Sequence, residues 1–202
     1  MSAYRSERRQ RQAEATRKDI LGAARRRFAE HGYSATSMSD IARDAGVAVQ
    51  TIYASCGSKR ELVLALVDTI DEEADVETLA AQAAGSDDPE EIIGLGVRIT
   101  RQFNERCGDI MSALLSASAV EPDAAAAAAE GRRRHRDGSA RLAKRLHATG
   151  ALREGLSADE AGALLATLTW RPIYAQLTQD HGWSYDDCER WISHALITTL
   201  LR

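Results

Sequence analysis

Helix-capping signals recur along this 202-residue chain, and no alternating strand pattern of period two separates them. Ser37-Met38-Ser39-Asp40, Ser58-Lys59-Arg60-Glu61, Ser157 with Glu160, and Ser184 with Asp187 all have the Ser-x-x-acid form of a capping box. In that motif the serine hydroxyl accepts from the third helical N–H, and the acid reaches back to the cap. Asp88-Pro89-Glu90-Glu91 adds an N-cap, a proline at the first helical position and first-turn acids. A chain punctuated this way folds as an all-α protein. Its 36 alanines agree with that, and its 5% aromatic content suits neither a β-sandwich nor a barrel.

The periodicity predicts about nine helices. Ile20, Leu21, Ala24 and Phe28 mark an amphipathic helix that stops at Gly32. Short helices follow from Ser37 to Ala45 and from Val47 to Tyr53, then one through Leu62, Leu66 and Ile70. From about residue 75 the elements lengthen: one from Pro89 to Gly108, a short one through Met111 and Leu115, and one from Pro122 to His147. The last two run over 158–181 and 185–201, with Pro172 expected to kink the first by withdrawing an N–H and crowding the Leu168 carbonyl.

The net charge of −4 divides unevenly. Up to residue 67 twelve Lys/Arg face seven Asp/Glu; beyond it fourteen face twenty-three. A basic front on an acidic body points to an anionic partner at the N-terminal end. No run approaches the roughly 20 apolar residues of a membrane span, and the N-terminus lacks a signal-peptide core. Cys56, Cys107 and Cys188, odd in number and widely spaced, suit a reducing cytoplasm and build neither a disulfide framework nor a zinc site. No cofactor or metal is expected.

The stretch from Ser37 to Cys56 has helix-turn-helix spacing. Ile41 and Ala42 face the core from one helix, Gly46 supplies the turn, and Ile52 packs back from the next. Gly32-Tyr33, Thr36-Ser37-Met38, Ile41-Ala42, Ala45-Gly46-Val47, Thr51-Ile52-Tyr53 and Gly57-Ser58-Lys59-Arg60-Glu61-Leu62 together resemble the DNA-binding domain of TetR-family transcriptional regulators. The resemblance covers about residues 16–67. It departs at Ser55 and Cys56, where the family often has His or Tyr and then Phe, which puts local packing of the recognition helix in question.

The resemblance implies a homodimeric repressor that binds a palindromic operator in double-stranded DNA and is released by a small-molecule effector. The expected organisation is a basic flexible arm over residues 1–13, a three-helix DNA-binding domain over 14–70 with its motif at about 37–56, and a larger helical ligand-binding and dimerisation domain over 71–202. Ser37, Ala48, Gln50, Thr51, Tyr53 and Lys59 are the candidate DNA contacts. Gln50 can pair bidentately with adenine, and the Thr51 methyl can touch a thymine methyl. Lys59 and Ser37 stand at helix starts, where backbone N–H groups favour a phosphate. Arg5, Arg8, Arg9 and Arg11 of the arm can follow the backbone or enter a minor groove. Tyr53 can equally be a packing residue, and Ser37 and Ser58 caps alone.

In the acidic part, Leu164, Leu168 and Leu177 with Trp191, Leu196 and Leu200 form apolar stripes on two neighbouring helices, the expected dimer face. Phe103, Cys107, Met111, Leu114, His147, Trp170 and Tyr174 are candidate pocket residues. The break at Pro172 can serve either a pocket or dimer packing. An enzyme reading finds little support: no His-x-x-x-His pair and no Gly-x-Ser-x-Gly turn occur, and Gly94-Leu95-Gly96 has Ile99 at the third glycine position and no preceding strand. The acids Asp68, Asp71, Glu72, Glu73 and Asp75 read as a solvated helix face rather than a cation site. The remaining alternative is a helical interaction or small-molecule-binding protein without specific DNA binding.

Overall fold

The computed structural model describes residues 2–73 and 76–202, with side chains described outside 2–6, 67 and 69–73. Asp75 therefore lies outside the described residues, as do the side chains of Arg5, Asp71, Glu72 and Glu73. The helices in chain order are α1 (Ser2–His31), α2 (Met38–Ala45), α3 (Val49–Cys56), α4 (Lys59–Glu73), α5 (Val76–Gly85), α6 (Pro89–Ala117), α7 (Pro122–Ala148), α8 (Ala158–Leu168), α9 (Arg171–Ala175) and α10 (Tyr185–Leu200). A five-residue π-turn, Gln176–Asp180, continues α9. Among the described residues the only extended pairing is one isolated bridge between Leu152 and Leu201. No described helix is long and apolar enough to cross a membrane.

Three boundaries differ from expectation. The basic segment 2–13 is helical rather than a flexible arm, because α1 runs back to Ser2 through good helix formers such as Arg, Gln and Ala. Gly108 does not end a helix: α6 passes through it to Ala117, since one glycine costs a helix only about 1 kcal/mol. At Pro172 the helix breaks and restarts where a kink was expected. Thr169 closes α8, Trp170 takes an extended conformation, and the proline falls within the first turn of α9, where its missing N–H is not needed.

The chain forms two compact units, the first of residues up to Thr69 with Asp109–Ala128, the second of Ile70–Gly108 with Ala129–Arg202. In the first, α1 buries Ile20, Ala24 and Phe28, and Ile41, Ile52, Leu62, Ile110 and Leu114 complete an apolar centre. The second unit has its own core of Ile92, Ile93, Val97, Leu146, Leu165, Tyr174, Ile192, Leu196 and Leu200. There α6 and α7 approach closely: a Cβ on Gly96 would come within 2.5 Å of Leu142. Arg101 of α6 bonds Glu189 and Asp186 of α10 at 2.9 and 2.8 Å, fastening the last helix.

His135 of α7 marks the break after α8. Its Nε2 lies 2.9 Å from the Ala166 carbonyl, its ring rests against Trp170, and burial pushes its pKa below the ordinary 6.5. Unfolding then exposes an imidazole that binds protons more readily. Stability from this site is complete above the unfolded value near 6.5 and falls as pH drops through it. Urea midpoints at pH 7.5 and 5.5 should differ more for the wild type than for His135→Asn.

Candidate nucleic-acid interface

Two helix ends and one turn build the surface that carries the candidate DNA contacts. Ser37 caps α2 in a full capping box: Asp40 N–H donates to Ser37 Oγ at 3.1 Å, and Ser37 N–H donates to the Asp40 carboxylate at 3.2 Å. The hydroxyl also donates to Asp40 Oδ2 at 2.5 Å, which with the other bonds holds the Asp40 carboxyl down at about 2. Both Ser37 donors are thus committed to Asp40, and an anionic carboxylate stands beside them. Ser37 serves as a helix cap in this structure.

The α2–α3 turn requires Gly46. Its φ is +67°, where an L side chain is strained, and the Gly46 and Val47 N–H groups close onto the Arg43 and Ala42 carbonyls at 3.2 and 3.0 Å. Ala48 then starts α3 without a side-chain cap. Ile52 and Cys56 turn inward, one helical turn apart. Gln50 and Tyr53 of α3 are exposed, Tyr53 at 56%, as is the N-cap Ala48, and Thr51 is partly buried. Three of the four residues expected to meet DNA, Ala48, Gln50 and Tyr53, are therefore solvent-accessible, and Tyr53 is not a packing residue of this chain.

Lys59 opens α4 behind the Ser58–Glu61 box, in which Ser58 N–H donates to Glu61 at 2.7 Å. Its ammonium lies 4.1 Å from the centre of the Tyr33 ring. Burial lowers the Lys59 pKa and Glu121 opposes that shift. The lysine is placed at a helix start as the sequence indicates, with a ring partner that spacing does not reveal.

Residues outside the motif hold this surface in place. Arg27 of α1 grips Asp44 of α2 with two bonds, Nε to Oδ2 at 2.5 Å and Nη2 to Oδ1 at 2.8 Å. Thr36, buried between α1 and α2, donates to the Gly32 carbonyl at 2.8 Å. Arg17 donates to the Ser55 carbonyl at 2.6 Å. Sequence reading quoted Thr36 within the motif but missed the roles of Arg27 and Arg17, because partners 17 and 38 positions apart leave no local pattern. Arg8, Arg9 and Arg11 are exposed on the first turns of α1.

The remaining predicted residues divide. Phe103, Cys107, Trp170 and Tyr174 belong to the second unit, with Tyr174 fully buried and its hydroxyl 3.3 Å from Thr100 Oγ1. Met111 and Leu114 are buried in the first unit. His147 is exposed near the end of α7 and does not line an interior. Leu196 and Leu200 are fully buried in the chain's own core, so they offer no dimer surface. Their helix stripe is already covered. Leu164, Leu168 and Leu177 are partly buried against that core, and Trp191 is exposed.

A trihelical unit with a glycine-turned, outward-facing second helix defines the class of helix-turn-helix regulators. Residues 20–66 match the family described as bacterial regulatory proteins, tetR family. The transcriptional regulator TtgR of Pseudomonas putida is 38% identical over 95 residues, 46% of this chain. That alignment spans 44% of the relative, so less than half of the curated protein is matched. Among solved structures, NalD of Pseudomonas aeruginosa, the secondary repressor of the MexAB-OprM multidrug efflux pump, superposes with a TM-score of 0.77 at 22% identity, covering 95% of this chain and 98% of NalD. SmeT in complex with triclosan gives a TM-score of 0.75 at 20% identity over 93% of this chain and 92% of SmeT; SmeT represses the SmeDEF multidrug efflux pump of Stenotrophomonas maltophilia. Residues 20–66 thus match the DNA-binding domain of the tetR family, and the whole chain shares the fold of these solved structures. These relatives are regulators, not enzymes.

If Ser37 is only a cap, Ser37→Ala should cost about 0.5–2 kcal/mol of stability in denaturant unfolding. DNA affinity per folded molecule, measured by fluorescence anisotropy, should be unchanged.

Proposed function

We propose that this protein is a homodimeric repressor that reads a palindromic operator through α3 and leaves it when a small molecule occupies the second unit. The observation that carries the first part is the division of α3: Ile52 and Cys56 inward, Gln50 and Tyr53 outward on a two-turn helix. A helix of that length fits the major groove, where Gln50 can pair with adenine N6 and N7. Thr51 and Tyr53 hydroxyls are suited to phosphate or base edges, and the exposed arginines of α1 extend the positive surface. Two copies related by a two-fold axis would set their α3 helices about 34–36 Å apart for successive major grooves.

Dimerisation through α8 and α10 accounts for the exposed apolar surface there. Trp191 is 45% exposed and meets Trp183 edge-on at 6.1 Å. These two and Asp187, Arg190 and His194 border an open cleft of about 340 Å³. Ala163 and Thr167 on α8 are exposed and small, which lets a second copy approach. Leu164, Leu168 and Leu177 would support this face from beneath.

The effector reading draws on the SmeT–triclosan complex and on polar groups inside the second unit. Asn104 is buried there, its Oδ1 without a hydrogen-bond partner, near Thr100 and the Tyr185 hydroxyl. An apolar molecule carrying one hydrogen-bond donor fits that chemistry. Release requires only that the effector prefer a conformation whose α3 helices no longer match the half-sites. The coupling is reciprocal, so bound operator must weaken effector binding by the same factor.

Selection of duplexes from a random pool, followed by titration at several salt concentrations, tests the DNA reading. Gln50→Ala should lower discrimination between the enriched and a scrambled duplex by about 1–3 kcal/mol. Lys59→Ala should weaken both duplexes alike and reduce the salt slope by about one. Binding without any sequence preference would remove the operator from the proposal. Separately, light scattering should give a dimer for the wild type and a monomer for Trp191→Glu; a monomeric wild type at micromolar concentration would refute the two-fold arrangement.

A further inference from the structure

The recognition helix is held weakly for the task given to it. It has eight residues, no side-chain cap at Ala48, and two inward residues, Ile52 and Cys56, on a single stripe. One stripe fixes the depth and tilt of a helix but resists rolling about its own axis poorly, because both anchors lie on the line of contact. A roll would swing Gln50 and Tyr53 away from base edges while leaving the core nearly intact. Cys56 is also small, so its side chain cannot oppose that motion as a large ring would.

Arg17 supplies an anchor off the stripe. From α1 it reaches across 38 positions to donate to the Ser55 carbonyl at 2.6 Å. Ser55 is one residue, about 100° of helix rotation, away from Cys56. The carbonyl belongs to the last turn of α3, where intrahelical partners run out and the negative end of the helix dipole attracts a cation. The same guanidinium bonds the Cys56 thiol, which burial pushes up and the cation pulls down. Gly57, with φ +76°, turns the chain immediately afterwards, so the tether acts at the last point where α3 can be held from outside. A line contact becomes a three-point one.

We propose that Arg17 is a positioning residue that sets the roll of the recognition helix and thereby the sequence discrimination of the protein. The proposal rests on the DNA-binding reading above. It assigns to a cation of the basic N-terminal helix a role that charge alone does not predict. A phosphate contact strengthens binding to every duplex alike, whereas a roll lock acts only where base edges are read.

Arg17→Met keeps the aliphatic stem and the helix propensity of α1 and removes the donors; Arg17→Lys restores a single charged donor. Both are tested as full-length protein on the duplex enriched by the wild type and on a scrambled duplex of the same length, with amide hydrogen exchange followed in parallel. Arg17→Met should lower the enriched-to-scrambled affinity ratio about tenfold, leave the salt slope unchanged and speed exchange in α3 but not in α4. Arg17→Lys should recover part of the ratio. An equal loss on both duplexes with a salt slope reduced by about one would make Arg17 a phosphate contact and overturn the proposal. An unchanged ratio with wild-type exchange in α3 would overturn it as well. Failure of the pool to yield any preferred sequence would sink the operator reading and the discrimination role with it, while the exchange measurement still decides whether Arg17 holds α3.

Discussion

At Gly46 the chain leaves α2 with a φ of +67°, and two successive amides turn back onto the carbonyls of Ala42 and Arg43. That left-handed turn sets the direction in which α3 departs, and the remainder of the first unit is arranged around it. Ile41 and Ala42 before the turn and Ile52 after it bury against α1, so Gln50 and Tyr53 must face outward. A Cβ at Gly46 meets no atom within 4 Å, which shows that the demand is for backbone conformation rather than for space.

The basic character of the front half is less available than its charge suggests. Arg27 and Arg43 are engaged by Asp44 and Asp40, Lys59 rests over Tyr33, and Arg17 holds a carbonyl. Several cations of the N-terminal unit are thus architectural. The positive potential still favours an anionic partner over distances near the Debye length, but on the proposed reading discrimination would depend on how the few outward residues of α3 are aimed. Arg17 and Arg27 each tie α1 to a neighbouring helix, at the Ser55 carbonyl and at Asp44.

Much of the fold was legible because helix signals are local. The capping boxes at Ser37, Ser157 and Ser184 form as their spacing requires, with the acid three residues on bonded to the cap. The helix-turn-helix was legible for the same reason, its whole grammar lying within twenty residues. The errors came where local signals compete with context. Gly108 looks like a helix stop, yet α6 runs through it, and the Arg171 guanidinium lies so close that a Cβ there would meet it at 2.9 Å. Leu196 and Leu200 make an apolar stripe that a second copy can cover in principle, but the second unit covers it itself. Periodicity reports that a face is buried and is silent about what buries it.

The amino-acid sequence by itself determined the helical class, the turn at Gly46, the resemblance of residues 16–67 to a known DNA-binding domain and the exposure of Gln50 and Tyr53 on α3, because each depends on interactions within a few residues. Tertiary structure alone decided that Ser37 bonds its own capping acid, that Lys59 has an aromatic partner, that Leu196 belongs to an internal core, and that Arg17 reaches the end of α3. Those contacts join residues far apart in the chain. Their formation depends on how whole helices pack, and packing has no local code.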